Sequence, residues 1–358
     1  MSPSAPKTGV LLVNLGTPDA PDVASVRRYL REFLGDPQVM DVHPVARWLL
    51  LNLVILPFRP RRSAAAYQEI WTDAGSPLLV EGRKLEVAVS RALGGEYHVE
   101  LAMRYGSPSI ATGLARFREA GVSSLIVLPL FPQYADGTTG SVLARISEVL
   151  ADSPNHFDIT SIPAFYDNPG WIDSFASAAR GQLEETPVDH VLFSFHGLPE
   201  SQIQKRDATG SRCLVDPICC DAMDEQNRDC YRAQCYANAR ALAAALELAP
   251  GSWSVSFQSR LLRTPWIRPY TDHVLPDLAN RGVKRLAIAC PSFVADNLET
   301  LEEIGLRAAR QWHELEGEEL RTLPCPNDHP TWVETVAAMV RAAIKPDASA
   351  SATATPSR

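Results

Sequence analysis

Three residues with acid–base and metal-binding side chains follow two strongly apolar segments of this chain. His196 ends the apolar run 188–195, and Glu299 and Glu303 come shortly after a second run, 284–289. Open α/β sheets place their chemistry at the carboxyl ends of buried strands. A histidine supplies a base with a pKa near neutrality, and carboxylates serve as metal ligands or proton carriers. These positions therefore predict a site for proton transfer or metal handling at a sheet edge.

The two glutamates share a face if their segment is helical. Glu299 and Glu303 are four residues apart, whereas Glu302 points elsewhere. Like charges on one face are mildly destabilising, so an inward-facing pair indicates a metal or proton path. A solvated helix face is the alternative for the glutamates, and a core histidine bonded to a backbone carbonyl is the alternative for His196.

The elements that must position these residues alternate along the chain. Runs of apolar and β-branched residues predict six strands, which fall into two sets: 9–15, 98–103 and 124–130, then 190–195, 253–257 and 284–289. Amphipathic patterns between them predict helices at 23–34, 111–120, 141–150, 171–183 and 235–248. This alternation is typical of parallel sheets with helices on both faces.

Short polar signatures follow the strands in both halves of the chain, which suggests an old duplication and a cleft where the two rows of strand ends meet. The predicted division is an N-terminal domain with an apolar lip, a C-terminal domain with a cysteine-rich insert at about 205–235, a last helix and a disordered low-complexity tail, at 8–165, 166–328, 329–345 and 346–358 respectively.

The net charge bears on the possible ligands of the protein, and the amino-terminal sequence bears on its cellular location. The net charge is −8 at pH 7, and no arginine–aromatic stripe is present, which argues against nucleic acid as a ligand. The first nine residues lack the apolar core of a signal peptide. We therefore expect a cytoplasmic protein.

One apolar run, 48–58, is too short to span a bilayer and is followed by Arg59, Arg61 and Arg62. A core helix is the default interpretation. The alternatives are a lip that dips into the inner face of the cytoplasmic membrane, anchored by the arginines, and a surface that packs a homodimer.

Five of the seven cysteines lie in one segment, with the spacing C-x5-CC-x9-C-x4-C: Cys213, Cys219, Cys220, Cys230 and Cys235. Without an export signal, structural disulfides are not expected, and a metal or cluster site is the better interpretation. Thiolates alone suit either a [2Fe–2S] cluster or structural zinc, although a zinc site more often shows C-x2-C pairs.

Eight blocks, in order from about residue 10 to 306, resemble the ferrochelatase family, which inserts Fe(II) into protoporphyrin to make haem. They are LLVNLGTPDAP, VRRYLREFLGDP, SAAAYQEIWTDAGSPLL, AMRYGSPSI, LPLFPQYADGTTGS, FSFHGLPE, SFQSR with PWIRPYTD, and CPSFVADNLETLEEI. The resemblance implies an α/β, chelatase-like fold of two similar Rossmann-like domains, each a parallel four-stranded sheet flanked by helices, with a porphyrin held between them.

The resemblance also implies roles for residues in these blocks. His196 and Glu299 match the catalytic pair, and Glu303 extends an acidic path for Fe(II) or protons. The residues implied to contact protoporphyrin IX are Leu15, Arg104, Tyr105, Tyr134 and Trp266. Some members hold a [2Fe–2S] cluster in an internal insert, so the resemblance favours the cluster over zinc, with four of the five cysteines as ligands.

Two departures and three alternative functions remain open. Leu262 stands where such members usually have glycine, and Asn297 stands where some carry a histidine. The alternatives are a chelatase for coproporphyrin, one for a corrin-type ring with cobalt, and a tetrapyrrole carrier without catalysis. A carrier would need neither the base nor the acidic pair.

Overall fold

The structure, a computed structural model, describes residues 8–151, 157–261 and 264–344. Leu262 and the tail predicted at 346–358 lie outside these ranges. Eight strands form within them: β1 Thr8–Thr17, β2 Tyr97–Gly106, β3 Ser124–Pro129, β4 Asp158–Ser161, β5 His190–His196, β6 Trp253–Gln258, β7 Arg285–Ala289 and β8 Glu319–Thr322.

The strands form two four-stranded parallel sheets with the same topology. The orders are β2-β1-β3-β4 and β6-β5-β7-β8, so the first strand of each set lies inside its sheet. Register pairs His196 with Gln258 across β5 and β6, and Phe193 with Ala289 across β5 and β7. The predicted α/β fold class with two parallel four-stranded sheets is thereby confirmed.

Twelve α-helices of the described residues flank the sheets: α1 Val23–Gly35, α2 Pro44–Leu49, α3 Leu56–Ile70, α4 Pro77–Leu93, α5 Ile110–Glu119, α6 Ser141–Ala151, α7 Pro169–Glu185, α8 Glu200–Lys205, α9 Tyr231–Ala245, α10 Thr271–Asn280, α11 Ala309–Glu314 and α12 Pro330–Ala343. Asp22 caps α1 and Asn168 caps α7, because their side-chain oxygens accept from backbone N–H groups of the first turn.

Successive side chains of β5 point to opposite faces of the sheet and enter two different apolar clusters. Val191, Phe193 and Phe195 face a cluster that also contains residues of α7, α9 and α12, whereas Leu192 faces α10, α11 and the helix of Glu299. All four side chains are buried, which explains why β5 is a continuous apolar run rather than an alternating one. Both faces of the strand that ends at His196 are thus fixed by packing.

Two of the four edge strands, β4 and β8, were not predicted. Each has four residues, and their side chains are at most half-buried. Without an apolar run or a clear alternation, such short strands carry little periodic signal.

Three segments of the described part of the chain are π-helices, with backbone hydrogen bonds between residues i and i+5. They are Leu50–Ile55, Asp136–Gly140 and Glu299–Ala308. The apolar run 48–58 is therefore not one regular helix, since it passes from α2 through a π-helix into α3. No helix among the described residues is long and apolar enough to cross a membrane.

Candidate active site

His196 is the last residue of β5, and its imidazole lies next to two aromatic rings. The ring centroids of Trp266 and Phe293 lie 6.4 and 6.3 Å from that of His196. Burial lowers the pKa of His196 from 6.5, while Glu303 and the Gly197 backbone act in the opposite direction. The imidazole is consequently neutral at pH 7 and able to accept a proton.

Glu299 and Glu303 lie on the first turns of the π-helix Glu299–Ala308. The side-chain oxygen of Asn297 accepts from the backbone N–H of Glu299 at 2.9 Å and fixes the start of this helix. Burial, followed by the charge of Glu303, raises the pKa of Glu299 to about 7, and Arg59 offsets part of that rise. Glu299 can therefore hold or release a proton near neutral pH.

The third glutamate of the segment has a structural role. Glu302 is buried on another side of the helix and accepts a hydrogen bond from Arg307 at 2.8 Å. The shared face predicted for Glu299 and Glu303 agrees with the effect of Glu303 on the pKa of Glu299. A charge effect also links Glu303 to His196.

The described residues contain no group of three or more His, Cys, Asp or Glu side chains arranged to hold one metal ion. His196 and Glu299 combine a neutral base with a carboxyl group whose pKa is about 7. Such a site can handle protons and a transient cation.

Arg104 and Tyr105, at the end of β2, share one carboxylate partner. Asp36 accepts hydrogen bonds from Arg104 Nη2 at 2.6 Å, from Tyr105 Oη at 2.8 Å and from Ser141 Oγ at 2.6 Å. Tyr105 is fully buried. The structure thus places Arg104 and Tyr105 in a buried network that includes Asp36 and Ser141, neither of which the sequence singled out.

The other three residues implied to contact a porphyrin lie on different elements. Leu15 is half-buried near the end of β1 and packs against two apolar clusters. Trp266 donates from Nε1 to the Leu261 carbonyl at 2.9 Å, close to His196. Tyr134 lies on the loop after β3, and its hydroxyl accepts from Arg206 at 2.9 Å.

The five cysteines of the insert are all buried, and four of them lie close together, with Cys220 in contact with Cys230 as well as with Cys219. The sulfur atoms of Cys213 and Cys230 are 3.7 Å apart, as are those of Cys219 and Cys220. Cys235 lies one turn into α9, where its thiol is next to the hydroxyl of Tyr231. The structure therefore gathers the cysteines but does not bring four of them to one point.

Comparison with known proteins agrees with this fold. The chain is similar to a solved structure of SirB from Bacillus subtilis with Fe3+, with a TM-score of 0.50 and 14% identity over 94% of each chain. At this identity the likeness shows the fold alone. The fold is that of the two-domain chelatases.

The sequence model of the Ferrochelatase family matches residues 7–344. The Ferrochelatase of Coxiella burnetii (strain RSA 493 / Nine Mile phase I) is 47% identical over 345 residues, which is 95% of this chain and 94% of that protein. The Ferrochelatase of Legionella pneumophila (strain Lens) is 45% identical over 334 residues, covering 93% and 98%. This chain belongs to the Ferrochelatase family and is a metal chelatase enzyme of haem biosynthesis, with Fe(II) and a porphyrin as substrates.

Proposed function

We propose that this enzyme inserts Fe(II) into protoporphyrin IX to form protohaem and two protons, the last step of haem biosynthesis. The observation that carries the proposal is the pair of perturbed groups at one sheet edge: a neutral His196 and a carboxyl group at Glu299 whose pKa is about 7. Two groups with pKa values shifted by burial at one edge are typical of acid–base catalysis.

The reaction requires two proton transfers, since each of two pyrrole N–H groups must lose its proton as iron binds the four nitrogens. Neutral His196 accepts one pyrrole proton, and the Glu299 carboxylate accepts the other. Glu299 and Glu303 offer hard oxygen ligands that replace part of the water shell of Fe(II), and Glu299 can then pass a proton on. An apolar pocket that grips a bent ring would favour the transition state over the planar ring.

The porphyrin-binding residues proposed from the resemblance are Leu15, Arg104, Tyr105, Tyr134 and Trp266. Trp266 is supported by its ring contact with His196, and Tyr134 by a position on a cleft loop bridged to Arg206. For Arg104 and Tyr105, the hydrogen bonds to Asp36 support a role in holding this network next to the porphyrin.

The test is an anaerobic assay with Fe(II) and protoporphyrin IX, which follows the absorbance change from free porphyrin to haem. We expect turnover that is lost in His196→Ala and kept in His273→Ala, a matched control because His273 is exposed on α10. Tight porphyrin binding without turnover would instead support a carrier.

The same assay separates the substrate alternatives. We expect a higher kcat/KM with protoporphyrin IX than with coproporphyrin, and no preference for cobalt with a corrin-type ring. The reverse order for coproporphyrin would reassign the substrate without changing the class of reaction.

We further propose that the insert binds a [2Fe–2S] cluster through two thiolate pairs, Cys213 with Cys230 and Cys219 with Cys220. Two thiolates bound at about 2.3 Å to one tetrahedral ion lie about 3.8 Å apart, close to the 3.7 Å of both pairs. Zinc needs its ligands on a single ion, whereas each iron of a [2Fe–2S] cluster takes two. When bound, the cluster would supply a cross-link and a one-electron redox couple.

Cys230→Ser tests this assignment, with Cys325→Ser as a control because Cys325 is buried outside the insert. We expect Cys230→Ser to lose bound iron, visible absorption and thermal stability together. A stable Cys230→Ser protein with full iron content would contradict the proposal, and stoichiometric zinc without iron would favour the zinc site.

We also propose a cytoplasmic enzyme that touches the membrane through an apolar lip. The exposed fractions of Trp48, Leu53 and Phe58 are 60, 60 and 75%, and Arg61 and Arg62 are exposed one turn later. Large exposed apolar side chains beside basic residues favour insertion into an anionic membrane surface.

Co-sedimentation with vesicles containing anionic lipid tests the lip. We expect binding that is lost in the double variant Trp48→Ser, Phe58→Ser and kept in Val87→Ser, whose exposed side chain lies on α4. A concentration-dependent homodimer that the double variant abolishes, with no vesicle binding, would assign the lip to the dimer instead.

A further inference from the structure

The backbone of His196 takes part in a closed ring of hydrogen bonds with two residues from other elements. The His196 N–H lies 3.1 Å from Ser292 Oγ, and the His196 carbonyl oxygen lies 2.8 Å from Tyr231 Oη. The hydroxyl groups of Ser292 and Tyr231 are 3.0 Å apart. Three hydrogen bonds therefore join His196 to Ser292 and Tyr231.

The donor and acceptor roles in this ring follow by elimination. A carbonyl only accepts, so the single hydroxyl proton of Tyr231 is donated to His196. An amide N–H only donates, so Ser292 Oγ accepts it and uses its own proton toward Tyr231 Oη. Every donor is used once, and hydrogen bonds arranged in such a chain strengthen one another.

The ring residues are held by rigid parts of the fold. Tyr231 is the first residue of α9 and only 7% exposed, so its phenol has little freedom. The same helix contacts the loop of Tyr134, because Gln234 Oε1 accepts from the Tyr134 N–H at 2.8 Å.

We infer that Tyr231 is a positioning residue, whose hydroxyl fixes the strand end that aims the imidazole of His196 at the substrate. The inference rests on the proposed role of His196 as the base. The hydrogen bonds of the His196 N–H and C=O restrain the two peptide groups on either side of its Cα, and so restrain the direction of its side chain. Proton transfer requires such alignment in the bound complex, whereas porphyrin binding does not depend on it.

Tyr231→Phe removes the hydroxyl and keeps the buried ring. We expect kcat for iron insertion to fall about three- to tenfold, the range that one hydrogen bond supplies at 25 °C, with KM for protoporphyrin unchanged. Tyr236→Phe is the matched control, since it removes a half-buried hydroxyl on the same helix that bonds Arg232 and not His196. We expect wild-type kcat from this control.

Ser292→Ala opens the same ring from the other side and serves as the second variant if Tyr231→Phe is insoluble. We expect a similar fall in kcat, and a double variant whose loss is smaller than the product of the two single losses, because both act on one network. Fully multiplicative losses, or a raised KM with normal kcat, would overturn the inference.

Comparison with His196→Ala separates this inference from the function itself. An inactive His196→Ala beside a normal kcat in Tyr231→Phe would overturn the positioning role alone. Full activity of His196→Ala would remove the proposed base and with it the role of Tyr231.

Discussion

Glu303 is held by both polar groups of Ser259: its Oε1 accepts from the Ser259 N–H at 3.0 Å and its Oε2 accepts from Ser259 Oγ at 2.6 Å. Ser259 follows β6 and has a φ of +70°, a conformation that side chains rarely adopt. The carboxylate of the π-helix is thereby oriented by the end of a strand from the same sheet as His196.

Two substitutions of Ser259 separate the contribution of its hydroxyl group from the cost of its positive φ. Ser259→Ala and Ser259→Gly each remove the hydroxyl, but only glycine tolerates the positive φ freely. We expect Ser259→Ala to lower the free energy of unfolding by about 1 kcal/mol more than Ser259→Gly, measured by urea denaturation. Equal stabilities of the two variants would argue against strain at this residue.

Glu299 makes the stability of the enzyme depend on pH. Its pKa is about 7 in the folded protein against 4.5 when unperturbed, so the folded state retains the proton longer than the unfolded chain. Stability from this group is complete below pH 4.5 and is lost as the pH rises to about 7.

Glu299→Gln removes this dependence. We expect the variant to be more stable than the wild type at pH 8, by at most about 3 kcal/mol, with little difference at pH 4.5. Urea denaturation of metal-free protein at both pH values measures the effect. A constant difference across the range would show that Glu299 titrates normally.

Asp36 is the shared acceptor of Arg104, Tyr105 and Ser141, and its removal should cost more than a surface charge. Burial acts to raise the pKa of Asp36, but the hydrogen bonds from Ser141, the Gln38 N–H and Tyr105 outweigh it and lower the pKa below 3.8. Because the folded state favours the carboxylate, its stabilising effect is present above pH 3.8 and is lost as the pH falls further.

We expect Asp36→Ala to lower the free energy of unfolding at pH 7 by about 3 kcal/mol, because the guanidinium of Arg104 loses its buried partner. Asp41→Ala is the control, since Asp41 pairs with Lys205 at the surface and should change stability by less than about 1 kcal/mol. Thermal unfolding of both variants measures the difference, and similar midpoints would contradict the structural role of Asp36.

The sequence predicted the central strands of both sheets, and it placed His196, Glu299 and Glu303 after strand ends, because those features are local. The run before His196 is apolar on both faces of its strand, and Glu299 and Glu303 have helical spacing. The contact between Arg104 and Asp36 was not predictable, since the two residues are 68 positions apart in different blocks and neither block indicates the other. Ser292 and Tyr231 were missed for the same reason.

The backbone geometry of the helices and of the cysteine loop was also not predictable from the sequence. A π-helix and an α-helix have similar apolar patterns, so the sequence could not predict that the helix starting at Glu299 has π-type hydrogen bonds. The cysteine spacing predicted a metal or cluster site but not which thiols lie next to one another, because that depends on how the loop folds back from Cys213 to Cys230.

Gly16, between Leu15 and the end of β1, tests how tightly the ends of β1 and β2 are packed against each other. Its φ is +123°, and a Cβ there would lie 1.9 Å from the carbonyl oxygen of Tyr105. We expect Gly16→Ala to unfold at a much lower temperature, or to be insoluble, because the clashing atom is backbone and cannot move aside. Gly94→Ala is the matched control: its φ is +83° and nothing lies within 4 Å of the added Cβ, so it should cost about 1 kcal/mol. Similar losses for the two variants would show that strands β1 and β2 can separate without penalty.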